Sequence, residues 1–106
     1  MISNYDIGDN IRAARKAAGL NLTQVASAIG FERGAVLRRE NGRTPILAED
    51  IPAFALVTRV PLAWFFEKHY GSDSDRVRQA HQAKRERDEA ERLTFNNTRK
   101  DGSNQP

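Results

Sequence analysis

The chain contains no cysteine, and only two histidines, one tryptophan and one methionine, in 106 residues. Without cysteine there is no disulfide framework and no thiolate metal site. His69 and His81 stand far apart in the chain, with no His-x-x-His pair and no Gly-rich phosphate loop. Both read as surface side chains, and no catalytic residue, metal or cofactor is expected. The run Ser72-Asp73-Ser74-Asp75 could suggest a metal or a phosphorylation site, but a helix cap accounts for it more simply. No apolar run approaches the ~18 residues of a membrane span. The N-terminus lacks the basic-then-apolar pattern of a secretory signal. A soluble, cytoplasmic protein with no membrane role is expected. Asn21-Leu22-Thr23 and Asn96-Asn97-Thr98 fit the glycosylation pattern, which carries no weight without a signal. The net charge of +3, from 17 basic and 14 acidic residues, is compatible with a nucleic-acid partner without requiring one. The length suits one domain with a tail, and no internal repeat is visible.

What the chain does contain is an ordered stretch from Leu22 to Gly42. Val25, Ala26 and Ile29 share the inward face of a short helix. Gly30 stops that helix, because glycine enters the left-handed conformation without a Cβ penalty. Phe31 turns back into the core, and Glu32 or Arg33 opens a second short helix that buries Val36. Two short helices joined by a tight Gly-containing turn make a helix-turn-helix. Ala26 is small because the second helix must cross close over the first.

With those residues in order, the stretch resembles the lambda-repressor/Cro-type helix-turn-helix family, also called the xenobiotic-response-element (XRE) family. Its signature positions fall on Val25, Ala26, Ile29, Gly30, Phe31, Val36 and Arg39. All fit except Arg39, which stands where the family has a buried apolar residue. Leu22 also departs, standing where the family commonly has a phosphate-bracing Gln. The likeness covers roughly residues 7–66. It implies an all-α, five-helix DNA-binding domain over about residues 6–70. Residues 71–106 would add a charged helical extension and a disordered tail.

Along the chain, residues 1–6 read as a loose arm. Ile7, Ile11, Ala14 and Ala18 have the spacing of a helix with one buried face, with Asp6 as its N-cap and Gly19 as its stop. The second helix should span 22–29, capped by Asn21 with Gln24 reaching back, and with Leu20 packed on Val25 as a hydrophobic staple. The third should span 33–41, ended by Gly42. Pro52 is tolerated only in a first turn, so the fourth helix should run from an Asp50 cap to Thr58. The fifth starts with Pro61 at its first position and should reach His69, with Gly71 as its stop. Trp64, Phe65, Phe66 and Tyr70 are many aromatics for so short a helix. Part of that cluster, Trp64, Phe66 and Tyr70, reads as core or as a homodimer seam. After Ser72 the composition changes. Residues 75–93 are rich in helix formers and i, i+4 charge pairs, with a thin apolar stripe of Val77, Ala80, Ala83, Ala90 and Leu93. That segment reads as a marginal, solvated helix capped by Ser72, Asp73 or Ser74, and dispensable for folding. Residues 96–106 read as a disordered tail.

For function, a helix fits the major groove, and arginine can bond guanine O6 and N7 with two parallel hydrogen bonds. Residues at the start of the third helix and one turn on point the same way. These are Arg33, Gly34, Leu37 and Arg38, the family's base-reading positions. Thr23, Gln24, Asn41 and Arg43 suit phosphate contacts. Arg15 and Glu40 occupy the family's structural ion pair between the first and third helices. Arg39 must either extend outward along its methylenes or pair with an acid. The expected partner is double-stranded DNA, bound by a homodimer on a two-fold operator. The expected role is a transcriptional regulator, of the phage or mobile-element repressor type or the antitoxin of a toxin–antitoxin pair. In the antitoxin case, residues 72–95 would take a protein partner. The alternative is a helix-turn-helix-derived protein-interaction module that has lost base reading.

Overall fold

In the computed structural model, which describes residues 2–103 and side chains as far as Thr94, the first helix, α1, is Asn4–Ala17. It starts earlier than the apolar period alone indicates. Ser3, not Asp6, is the N-cap, and Asp6 is the third helical residue of a capping box. The Asp6 amide donates to Ser3 Oγ at 3.1 Å, and the Ser3 amide donates back to Asp6 Oδ2 at 3.0 Å. That backbone donor, with the Ser3 hydroxyl, holds the Asp6 carboxyl below its ordinary pKa. Ile11 and Ala14 are fully buried.

Gly8 is also buried, where α1 crosses the end of the third helix. A Cβ there would press on the backbone carbonyls of Arg39 and Glu40, 2.8 Å from the Glu40 oxygen. Backbone cannot rotate aside as a side chain can. Gly8→Ala is therefore expected to destabilise, overpacking at ~1–3 kcal/mol outweighing a helix-propensity gain of ~1 kcal/mol. Gly34→Ala is the contrast, because its Cβ would meet only the mobile end of Arg38 at 3.2 Å. Urea denaturation should move the two midpoints in opposite directions, Gly8→Ala down and Gly34→Ala up.

Helix α2 is Leu22–Ile29 and α3 is Arg33–Glu40. Asn21 and Gln24 bond each other's amides at 2.8 Å, the reciprocal cap of α2. Gly30 takes φ 78°, and the Phe31 amide donates to Ala26 O at 2.8 Å, closing the turn. Val25, Ala26 and Val36 are buried between the two helices, and Leu20 packs against the same core. Helix α3 ends at Glu40, one residue before its expected end, with Asn41 as its C-cap and Gly42 following with φ 71°.

Helix α4 is Ile51–Thr58, with Pro52 in its first turn, and a single 3-10 turn, Ala48–Asp50, leads into it. Asp50 holds the cap position but makes no capping hydrogen bond. Its backbone is already helical, so its carboxylate is not aimed at the next turn's amides. Helix α5 is the single turn Leu62–Phe65, with Pro61 as cap, and ends well short of His69. The Asn10 amide donates to Phe65 O at 2.9 Å and to Glu67 O at 2.8 Å, and His69 Nε2 donates to Trp64 O at 2.9 Å. Those side chains take carbonyls that a longer helix would have used. His69 is half-buried, stacked on Trp64 with ring centroids 4.0 Å apart, and so is not a plain surface histidine; His81 is exposed.

Helix α6 is Asp73–Ser103, so its backbone continues past the Asn96 at which the sequence suggests a tail; residues 104–106 lie outside the described residues. Ser72 caps it: its Oγ accepts from the Asp75 amide at 3.2 Å, and its own amide donates to Asp75 Oδ2 at 2.9 Å. The first half of α6 is docked rather than solvated. It packs along α1, with Ala80 fully buried and Val77 and Ala83 against the core. The stripe is thin because it is made of small residues, and small residues let two helices approach closely. Arg59 ends α4 with φ 62°, an unusual conformation for a non-glycine residue. Its guanidinium reaches α6, bonding Asp88 Oδ1 at 2.9 Å and Glu91 Oε2 at 2.5 Å. Arg59 is the main cause of a lowered Asp88 pKa, while Arg87 and then Arg59 lower that of Glu91. Arg87 also donates to Ala55 O at 3.3 Å.

Candidate nucleic-acid interface

Helix α3 is held from behind by a polar stripe on α1. Arg15 grips Glu40 with two bonds, Nε to Oε2 at 2.6 Å and Nη2 to Oε1 at 3.0 Å. The Glu40 side chain is 1% exposed. Arg15 Nη1 also bonds Leu20 O at 3.0 Å, and Arg12 Nη1 bonds Glu40 O at 3.2 Å. About two turns before Arg12, Asn4 clamps the loop after α3. Its amide nitrogen donates to Thr44 O at 3.0 Å, and its oxygen accepts from the Ile46 amide at 3.0 Å. Arg43 leaves the domain from that clamped loop.

Arg33, Leu37 and Arg38 are exposed on α3, and Gly34 is partly exposed. Asn41 and Arg43 are exposed beyond its end, and Thr23 and Gln24 on the first turn of α2. The Gln24 oxygen is committed to the Asn21 amide, so what it can offer a phosphate is its amide N–H. Among the described side chains, every arginine outside this group is bonded within the chain. Arg12, Arg15, Arg39, Arg59, Arg76, Arg78, Arg87 and Arg92 are in ion pairs, and Arg85 bonds Gln82. Among the described side chains, Arg33, Arg38 and Arg43 are the arginines whose guanidinium groups remain available.

Arg39 turns inward instead. Its guanidinium lies 4.5 Å above the Phe31 ring and its Nε is 3.6 Å from Asp50 Oδ2. The aromatic cluster divides. Trp64 is 6% exposed and belongs to the core, which removes it from any surface seam, while Phe66 and Tyr70 are exposed. Sequence reasoning missed Asn4, Gly8 and Asn10. Gly8 carried a signal, a glycine inside a helical period and three residues before buried Ile11. Asn4 and Asn10 carried none, because their partners are backbone groups remote in the chain.

Among the described residues, no helix is long and apolar enough to cross a membrane. No curated protein and no solved structure matches the chain. A family model described as a helix-turn-helix domain matches residues 6–63, which takes in the whole of α2, the turn and α3, and Gly8, Arg12 and Arg15 among their supports. With that match lying over the geometry just described, the chain belongs to the helix-turn-helix domain family.

Proposed function

We propose that the chain is a sequence-specific regulator of transcription that lays α3 in the major groove of duplex DNA. The observation that carries this reading is the set of three uncommitted arginines, Arg33, Arg38 and Arg43, gathered on one helix and the loop that follows it. Arg33 and Arg38 read base edges, Leu37 meets a thymine methyl, and Gly34 brings the backbone near the groove. Thr23, Gln24, Asn41 and Arg43 hold phosphates and set register. A two-fold operator bound by a homodimer is the matching arrangement. Phage or mobile-element repressors and toxin-neutralising antitoxins are the regulator types it suits.

Selection from random duplexes tests the reading, and enrichment of no sequence would favour a protein-interaction module instead. On the enriched site, Arg38→Ala should cost ~1–3 kcal/mol and relax preference at one base position per half-site. Arg43→Ala should weaken all sequences about equally and flatten the salt slope by about one unit. Lysine at position 38 should not restore binding fully, because an ammonium lacks the planar fork.

A further inference from the structure

We infer that Arg39 is a positioning residue: it sets the roll of α3 about its own axis, and with it the direction in which Arg33, Leu37 and Arg38 leave the domain. The consequence for base preference rests on the DNA-reading proposal above; the structural half does not.

Helix α3 has few anchors. Val36 and Glu40 are its only buried residues. Glu40 ties the end of the helix to α1 through Arg15. The two anchors stand about one turn apart on the same face, and anchors along one line leave a short helix free to roll. Arg39 lies ~100° round the helix from Glu40, and a second contact at that angle opposes rotation. Three elements meet at its side chain. Nη1 donates to Ala35 O at 3.0 Å, one turn back on α3. The guanidinium stacks over Phe31, the residue that follows the α2 stop, and Phe31 in turn packs edge-on to Phe54 with centroids 6.2 Å apart. The Nε faces Asp50 at the entry to α4. The turn, the reading helix and α4 are thereby joined through a single residue.

The ion pair is loosely made. Arg39 Nε and Asp50 Oδ2 are both buried, stand 3.6 Å apart, and have no hydrogen-bond partner. A buried pair without fitted hydrogen bonds adds little net stability, and replacing both members by apolar side chains of similar volume is often neutral, whereas removing one strands the other. Orientation and stability are therefore separable at this position.

The test uses the full chain carrying Arg39→Met together with Asp50→Leu, so that no buried charge is stranded. Its melting temperature should stay close to that of the wild type. Amide exchange in α3 should rise roughly tenfold while α1 and α2 keep their protection. In selection from random duplexes, preference at the base position that Arg38→Ala affects should fall roughly tenfold, because the reading side chain is displaced. The salt slope should not change, because Arg39 meets no phosphate. Arg39→Lys keeps the charge and loses the planar stack, so in exchange and base preference it should resemble the double variant. If the double variant does not fold, Asp50→Asn removes the ion pair without emptying the space and carries the same expectations for exchange and base preference. Unchanged exchange in α3 overturns the inference. So does an unchanged base preference where the wild type selects a sequence, or a salt slope flattened by about one unit, which would make Arg39 a direct phosphate contact. If the wild type selects no sequence, the DNA-reading proposal fails and exchange in α3 alone decides the inference.

Discussion

Glu40→Ala is expected to lower the unfolding free energy by ~3–5 kcal/mol, the cost of breaking a buried charge pair by removing one partner. The reason is local. Glu40 is 2% exposed and receives two bonds from Arg15, at 2.6 and 3.0 Å. Without the carboxylate, the Arg15 guanidinium stays among α1, Leu20 and α3 with only Leu20 O as a partner. Arg15→Ala should be as damaging, since it strands the more buried member. A domain of this size has ~5–15 kcal/mol in all, so either variant uses much of the margin. The double variant Arg15→Met with Glu40→Leu should recover a large part of the loss, because two apolar groups need no partners. Chemical denaturation of the wild type, Arg15→Met, Glu40→Leu and the double variant forms a double-mutant cycle. Near-wild-type stability in both single variants would show that the pair contributes nothing.

Ending the chain at Gly71 is expected to be comparably severe. The sequence alone suggests the opposite, since Val77, Ala80, Ala83, Ala90 and Leu93 make a poor stripe. In the structure Ala80 is fully buried, Val77 and Ala83 pack on the core, and α6 lies along α1. Removing α6 uncovers the α1 face and the Trp64 edge. An uncovered apolar area on the order of a few hundred Å² corresponds to several kcal/mol at ~25 cal/mol per Å². The melting temperature should drop by ~10 °C or more. A chain ending at Thr94 retains the Arg59 contacts with Asp88 and Glu91 and should melt within a few degrees of the whole. Equal melting of the Gly71-ended and complete chains would return α6 to the status of a solvated appendage.

Much of the fold was legible in the residues because its signals are local. The α2 boundaries, the Asn21–Gln24 cap and the Gly30 stop follow from capping chemistry and from the conformational freedom of glycine. The Pro52 limit on α4 is equally local. Boundaries set by distant partners were not legible. Asn10 and His69 take the carbonyls that would have extended α5, and neither partnership is visible in the neighbouring residues. The α6 stripe looked too weak to dock because its strength lies in close approach to α1, and a one-dimensional apolar count does not register that.

The reading face and its support divide along the same line. The order of apolar residues around Gly30 determined, by itself, that two short helices meet at a tight turn and that Arg33, Leu37 and Arg38 lie on one side of the second. Periodicity within a helix suffices for that, since each residue advances ~100°. Tertiary structure alone decided which arginines are available. Arg38 and Arg39 are adjacent and chemically identical, yet Arg38 is exposed while Arg39 is held by Phe31 and Asp50. It also decided how α3 is seated, through the α1 stripe of Asn4, Gly8, Arg12 and Arg15, whose partners lie 25 or more residues away. A guanidinium has the same charge and hydrogen-bonding capacity wherever it stands in a sequence, and its role follows from which carboxylates, rings and carbonyls the fold brings within reach.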